Sequence, residues 1–287
     1  MKTILIQLDT DPQPSSFDRV VAVDAGVDEL FSYGGVTVDN VEPLVHGAMF
    51  TRGAADLNNT AIFIGGSDVS AGERLLERVR TTFFGPVRVS VMMDSNGSNT
   101  TAAAAVLSAR KQLGSLARVE AVVLAGTGPV GQRAAQLLAM EGASVRVASR
   151  SRDRAAATCD AIAGQVSGAK LRPCATSNEA ELRSACDGVQ LVIAAGAAGI
   201  TLLPAEVRRS IVSLKVAIDL NAVPPLGIDG VEVMDKAKER DGAMCYGAVG
   251  VGGLKMKIHR AALRRLFKSN DQVLDTPAIY AIGQTIA

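Results

Sequence analysis

Three glycines mark the chemistry of this chain. Gly126, Gly128 and Gly131 lie in AVVLAGTGPVGQRAAQLL, between an apolar run and an alanine-rich helical pattern. Each meets a separate need. Gly126 allows a tight turn, Gly128 lets a pyrophosphate approach the backbone, and Gly131 lets the next helix lie close on the strand. The helix start offers free N–H groups and a partial positive charge to phosphate, and Pro129 there loses no needed donor. Thr127 and Val130 belong to the same turn. About 20 residues on, where such sites place the ribose-reading residue, the run SVRVA ends in Ser149-Arg150-Ser151-Arg152. A site for NAD ends this strand in an acid that grips the ribose 2′-hydroxyl. Ser and Arg attract a 2′-phosphate instead, Arg through a planar donor fork. The expected cofactor is NADP, with NAD still admissible.

Two later strand ends belong to the same reading. VIAAG runs into Ala195-Gly196-Ala197-Ala198-Gly199. Small residues there either let ribose and nicotinamide pass close to the backbone or pack a turn against a helix. VAIDLNAVPPLG carries Asp219 and Asn221 toward the carboxyl edge of the sheet, where ligands bind. Only two histidines exist, His46 and His259, and they are far apart. Cys159, Cys174, Cys186 and Cys245 form no CxxC. No metal site is expected, and free thiols point to a reducing, cytoplasmic setting.

The elements that must position these residues follow from periodicity. The chain has 287 residues and is 48% hydrophobic with no Trp, so Val, Ile, Leu and Ala must fill the core. That palette suits helices packed on a parallel sheet. A net charge of +1 excludes a nucleic-acid footprint, and no apolar run reaches membrane-spanning length. MKTILIQL reads as a first strand and not as a signal peptide. The expected fold class is α/β in two domains with a cleft between them: a smaller α/β substrate domain and a Rossmann-like dinucleotide-binding domain. The first spans residues 1–110, probed by the apolar runs TILIQL, RVVAV, TAIFIGG and VRVSVMM as strands, and is joined by a C-terminal helix, 268–287. The second spans 111–267. SNTTAAAAVLSARKQLG reads as a helix linking the halves, and MCYGAVGVGGLKMKIHRAALRRLFKS as a Gly-rich strand or loop that turns into a helix. Apolar domains of this kind often pair, so a homo-oligomer is expected.

Several segments together resemble a known family. DTDPQPSSFD, FTRG, TAIFIGGSD, AGER, FFGPVRVSVMMDSNGSNTTAAA, VVLAGTGPVG, NAVPPLGI and GVGGLKMKIHRA are similar to the bacterial NADP-dependent methylene-tetrahydromethanopterin dehydrogenases. The similarity runs from about residue 4 to the last helix and is more specific than G-x-G-x-x-G. It implies oxidation of the methylene bridge on tetrahydromethanopterin to the methenyl form, in one-carbon metabolism from formaldehyde. Related enzymes also act on tetrahydrofolate. The bifunctional folate dehydrogenase–cyclohydrolases share the architecture, but their Tyr-x-x-x-Lys has no counterpart here, since GGVT follows Tyr33.

Under that resemblance the residue inventory makes chemical sense. The hydride leaves a carbon flanked by two nitrogens, and no hydroxyl proton has to be removed. No general base is needed, so the lack of a promising His is no obstacle. A hydroxy-acid dehydrogenase would want one. Asp18 and Asp94 are the candidate acids for the pterin's amino and ring N–H edge. Asp94 fits a loop or cap role equally well. Phe17 either stacks on the pterin or joins the core, and Asn96, Asn99 and Thr100 lie at a loop-to-helix junction. The resemblance puts Lys255 near the cofactor and active site. Lys255 and Lys257 share a face only on a strand. Two other readings compete. A shikimate-type dehydrogenase needs a Lys/Asp pair in the first half, yet no lysine occurs between residues 3 and 110. A non-catalytic NADP-binding protein would bind the cofactor without turnover.

Overall fold

A computed structural model describes residues 1–287. The chain forms two compact units, Met1–Thr100 with Met256–Ile286, and Thr101–Lys255. The first unit opens with β1 (Ile4–Asp9), α1 (Ser16–Asp24), β2 (Glu29–Tyr33), α2 (Glu42–Phe50), β3 (Thr60–Gly65), α3 (Val69–Thr82) and β4 (Ser90–Met93). The chain leaves it within α4 (Ser98–Leu113). The second unit holds β5 (Glu120–Leu124), α5 (Pro129–Met140), β6 (Ser144–Ser149), α6 (Arg152–Gln165), β7 (Lys170–Ala175), α7 (Glu179–Cys186), β8 (Leu191–Ala194), α8 (Ala205–Ser210), β9 (Val216–Asp219), β10 (Lys236–Arg240) and β11 (Ala243–Tyr246). The chain returns within α9 (Ala248–Leu266) and ends in the first unit with β12 (Val273–Leu274) and α10 (Thr276–Gln284).

Both sheets are parallel where they matter. The first has the order β12-β4-β3-β1-β2, with Ile6 opposite Phe31 and Ile62. The second has the order β10-β11-β9-β8-β5-β6-β7, and only the β10–β11 pair is antiparallel. Helical crossovers cover the sheet faces, which is why TAIFIG, apart from Thr60, and LVIA are apolar and why both are fully buried. Leu8, Met49, Ile62, Ile64 and Leu75 centre one core. Val122, Leu124, Val192, Val207 and Ile228 centre the other.

Several segments depart from the sequence reading. The expected C-terminal helix 268–287 is α10 alone, with β12 before it. The units divide at Thr100 and Lys255 instead of at 110 and 267, inside the helices α4 and α9. RVVAV is not a strand; it lies inside α1. Ser15 caps that helix, and Val21 and Ala22 face the core while Val20 and Val23 face out. That is a helical pattern, and β-branching yields to the crossover that parallel strands require. MCYGAVGVGG does begin as a strand, β11, but only through Tyr246; GVGG already lies in α9, which runs from Ala248. Its Gly250 is set by packing: a Cβ there would meet Asp235 O at 1.7 Å. Helix α2 and strand β2 had no clear signal, the first for its short, weakly amphipathic run and the second because it is a half-exposed edge.

Candidate active site and dinucleotide turn

Each unit has its own ligand edge. Read from β7, the second sheet runs β7-β6-β5-β8-β9-β11, an order of 3-2-1-4-5-6 for its parallel strands. The connections reverse between β5 and β8, and doubly wound sheets bind ligands at the carboxyl ends of the strands there. The glycine turn stands at the end of β5. Gly126 N donates to Ala148 O at 2.8 Å, locking the turn to β6. A Cβ on Gly126 would lie 2.8 Å from Val123 O, and one on Gly131 2.7 Å from Ala125 O. The protein itself demands glycine at both. Gly128 differs. A Cβ there would find Ala125 O at 3.4 Å and Ala195 O at 3.7 Å, ordinary contacts. Nothing in the chain requires glycine at 128, so the bare backbone at the start of α5 fits a close-approaching phosphate.

The end of β6 is a hydroxyl cluster with arginines beside it. Ser149 is buried, and its Oγ accepts from Thr127 Oγ1 at 3.4 Å and from Ser151 N at 3.3 Å. Ser151 caps α6 by accepting from Arg154 N. Arg150 and Arg152 are exposed, and no acid stands among them. Pro129 opens α5 and Val130 follows it, half-buried. Gly196 has a packing reason to be small, since a Cβ would meet Leu202 Cδ1 at 2.7 Å. Its neighbours Ala195 and Ala197 are half-buried and exposed.

Asn221 is buried and builds the loop after β9. Its Nδ2 donates to Pro225 O at 3.0 Å and its Oδ1 accepts from Val223 N at 2.9 Å. Asp219 holds the base of that loop, accepting from Asn221 N at 3.0 Å and Ile228 N at 2.9 Å. Burial pushes its carboxyl up from the ordinary range, against those hydrogen bonds. A cavity of about 650 Å³ near α7 and α8, lined by Arg183, Asp187, Ile211 and Ser213, lies at the amino-end loops before β8 and β9. It is on the wrong edge for this chemistry.

The first sheet, β2-β1-β3-β4-β12, reverses between β1 and β3, and that switch gathers acids. Asp9 ends β1, fully buried. Asp18 lies in the first turn of α1, half-buried, with its carboxylate toward Gly65 at the end of β3. Thr10 Oγ1 is buried at the same edge with no protein partner. Phe17 is 49% exposed beside Asp18, so it is not core.

The structure corrects the loop after β4. Asp94 is fully buried and caps α4, its carboxylate accepting from Asn99 N at 2.8 Å, Thr100 N at 3.1 Å and Thr100 Oγ1 at 2.6 Å. Asn99 is buried too, donating to Met93 O and accepting from Thr276 Oγ1 at 2.7 Å. Asp94, Asn99 and Thr100 thus build the loop and present no open face. Asn96 alone is exposed, held at φ 54 with its N–H on Gly66 O. Lys255 is half-buried on helix α9, so it shares no face with the exposed Lys257. His259 is buried and stacked on Phe63 at 5.7 Å. His46 packs on Phe50 at 5.4 Å, on α2. Sequence reasoning passed over Asp9, although an acid closing a strand nine residues before Asp18 was a readable signal.

Strand order and turn together define the second unit as a Rossmann-type dinucleotide fold. Quinate dehydrogenase from Corynebacterium glutamicum, solved in complex with NAD, has a similar fold: TM-score 0.54, 14% identity, 99% of both chains covered. The family model "Methylene-tetrahydromethanopterin dehydrogenase, N-terminal" matches residues 16–96. Two curated relatives from Methylorubrum extorquens (strain AM1) align over 100% of this chain and 99% of their own length. One, named bifunctional protein MdtA, is 47% identical; the other, NAD(P)-dependent methylenetetrahydromethanopterin dehydrogenase, is 31% identical. The chain belongs to the methylene-tetrahydromethanopterin dehydrogenase family.

Proposed function

We propose that this chain oxidises methylene-tetrahydromethanopterin to the methenyl form with NADP+, a step of one-carbon metabolism from formaldehyde. The observation that carries the reading is Gly128. It is the one glycine of the turn that the protein does not itself require, at the switch point of a dinucleotide fold, in a chain of this family. NADP+ supplies the hydride acceptor.

The chain's own work is holding and shielding. The free N–H groups at the start of α5 take the pyrophosphate, with Thr127, Gly128, Pro129 and Val130 shaping the turn. Ser149, Arg150, Ser151 and Arg152 take the 2′-phosphate. Ala195, Gly196, Ala197 and the loop built by Asn221 border the nicotinamide side. Asp18 accepts the pterin's amino and ring N–H edge, and Phe17 stacks on the ring. Asn96 adds a polar contact. Asp94, Asn99 and Thr100 keep that loop in place. Lys255 contacts the cofactor or an anionic part of the substrate. The methylene carbon sits between two nitrogens whose lone pairs stabilise the cation left behind. Fixed carboxylates add to that stabilisation, and catalysis reduces to proximity and electrostatics. A histidine base has no task, which agrees with His259 stacked in a core.

We also propose self-association through the apolar side chains that α1 and edge strand β2 expose, Val20, Val23, Phe31 and Tyr33. A cytoplasmic setting is supported by four buried free cysteines. The test is an absorbance assay of reduced nicotinamide with methylene-tetrahydromethanopterin or methylene-tetrahydrofolate, each with NADP+ or NAD+. Fast turnover with the methanopterin and NADP+ is expected. Activity confined to the folate overturns the substrate, and activity confined to NAD+ overturns the role of Arg150 and Arg152.

A further inference from the structure

Asp9 is the acid that the proposed chemistry leaves unused. It ends β1 with its side chain fully buried. Its Oδ1 accepts from Asp11 N at 2.9 Å. Its Oδ2 accepts from Ser15 N at 3.0 Å and from Gln7 Nε2 at 3.4 Å. Each of these three partners is an N–H donor, and a carboxylate is the side chain that only accepts. The segment between β1 and α1 reads TDPQPS and has no regular structure of its own. Its two prolines cannot donate. Its shape therefore depends on a few anchors. Asp9 is the inner one. The outer one is the Asp11 carboxylate, which accepts from Ser67 N at 3.0 Å and Ser67 Oγ at 2.8 Å.

The anchor leads to Asp18. Ser15, tied by its N–H to Asp9, is the N-cap of α1, and its Oγ accepts from Asp18 N at 3.3 Å. Asp9 and Asp18 also converge on one point. A Cβ on Gly65 would stand 3.1 Å from Asp9 Oδ2 and 3.6 Å from Asp18 Oδ2. That point is the switch between β1 and β3, the ligand edge of the sheet. One acid is sealed under the edge and the other is half-exposed on it. We infer that Asp9 is the positioning residue for Asp18: through Ser15 it sets the start of α1, and so the place of the carboxylate that meets the pterin. The inference rests on the proposed role of Asp18.

The experiment is a double-mutant cycle on the full chain with methylene-tetrahydromethanopterin and NADP+, using Asp9→Asn, Asp18→Asn and the pair. Asparagine keeps the size of Asp9 but turns an N–H₂ donor toward another donor. Each single variant should raise the KM for the pterin by about tenfold or more, with the KM for NADP+ unchanged. The double variant should be no worse than the worse single one, because both act through the same carboxylate. Losses that add, or a KM for NADP+ that rises in step, overturn the inference and leave Asp9 a purely structural residue. Normal pterin kinetics in Asp18→Asn remove the role of Asp18, and with it that of Asp9. An inactive wild-type chain counts against the reaction itself. If Asp9→Asn does not fold, Ser15→Pro, at a φ of −57 that suits proline, removes the same N–H from the other side, and Ser15→Ala, which loses only the capping Oγ, is its control. Ser15→Pro should reproduce the selective rise in the pterin KM, and an unchanged KM overturns the inference.

Discussion

At Gly128 the missing side chain is informative because nothing in the protein explains it. This separates the three glycines experimentally. Gly128→Ala should fold within about 1 kcal/mol of the parent and yet lose NADP affinity roughly tenfold or more, because the Cβ takes the space of the pyrophosphate. Gly131→Ala should do the reverse first, costing on the order of 2 kcal/mol through its clash with Ala125 O. Urea unfolding and nucleotide titration, run on both variants, check the pair. Equal stability losses would sink the distinction. The cysteines give a second residue-scale test. Burial pushes the Cys186 thiol up to about 12 and those of Cys159 and Cys245 up to about 11. These three should resist alkylation at pH 8 in the native chain and react on denaturation, as mass spectrometry would read.

Caps and one hairpin govern the elements. Asp94 satisfies the first N–H groups of α4 from a buried position. Asp94→Ala should cost about 2 kcal/mol, read by chemical unfolding, since it strands buried donors. The β10–β11 hairpin follows a segment pinned by Asp235, which takes a bidentate contact from Arg240 at 2.6 and 2.8 Å. Burial opposes ionisation of Asp235, but the hydrogen bonds from Arg240 and Glu232 N prevail and hold its carboxyl below the ordinary 3.8. A depressed folded-state value means stability present above the unfolded value and lost as pH falls through the folded one. The parent should therefore lose stability below about pH 4, and Asp235→Asn should flatten that part of the profile in a pH series of thermal melts. An unchanged slope would count against the pair.

For the whole molecule, two units carry two ligand edges, and each can be addressed alone. NADP+ at 100 times its Kd should stabilise the chain by about 2.7 kcal/mol. Hydrogen-exchange protection should gather at residues 125–131 and 149–152. Protection centred on 183–188 and 210–213 would move the ligand to the other edge of the sheet. Light scattering should give a mass above the 29.7 kDa of one chain, and Val20→Glu with Phe31→Glu should return it to that value. A parent that runs as a single chain would remove the proposed self-association.

The amino-acid sequence by itself determined the core strands of the second sheet and its turn, though not β10 or the strand order. GTGPVG, SVRVASRSR and LVIAAG are local patterns, and their strand-turn-helix geometry follows from glycine freedom and from apolar runs buried on both faces. It also determined the family, through segments spread along the chain. Tertiary structure decided what local pattern leaves open. RVVAV became a helix because two parallel strands needed a crossover. GVGG lies in a helix despite its glycines, and Gly250 is required there because Asp235 O approaches it closely. Asp94 turned inward as a cap while Asp18 stayed at the edge, although both are acids near a helix start. Asp9 gained its partners only when the loop after β1 folded back over it. The hydrogen-bond partners of Asp9 and Asp94 are near in the chain, but their burial comes from residues distant in it, so which of several similar acids faces a ligand is settled by packing.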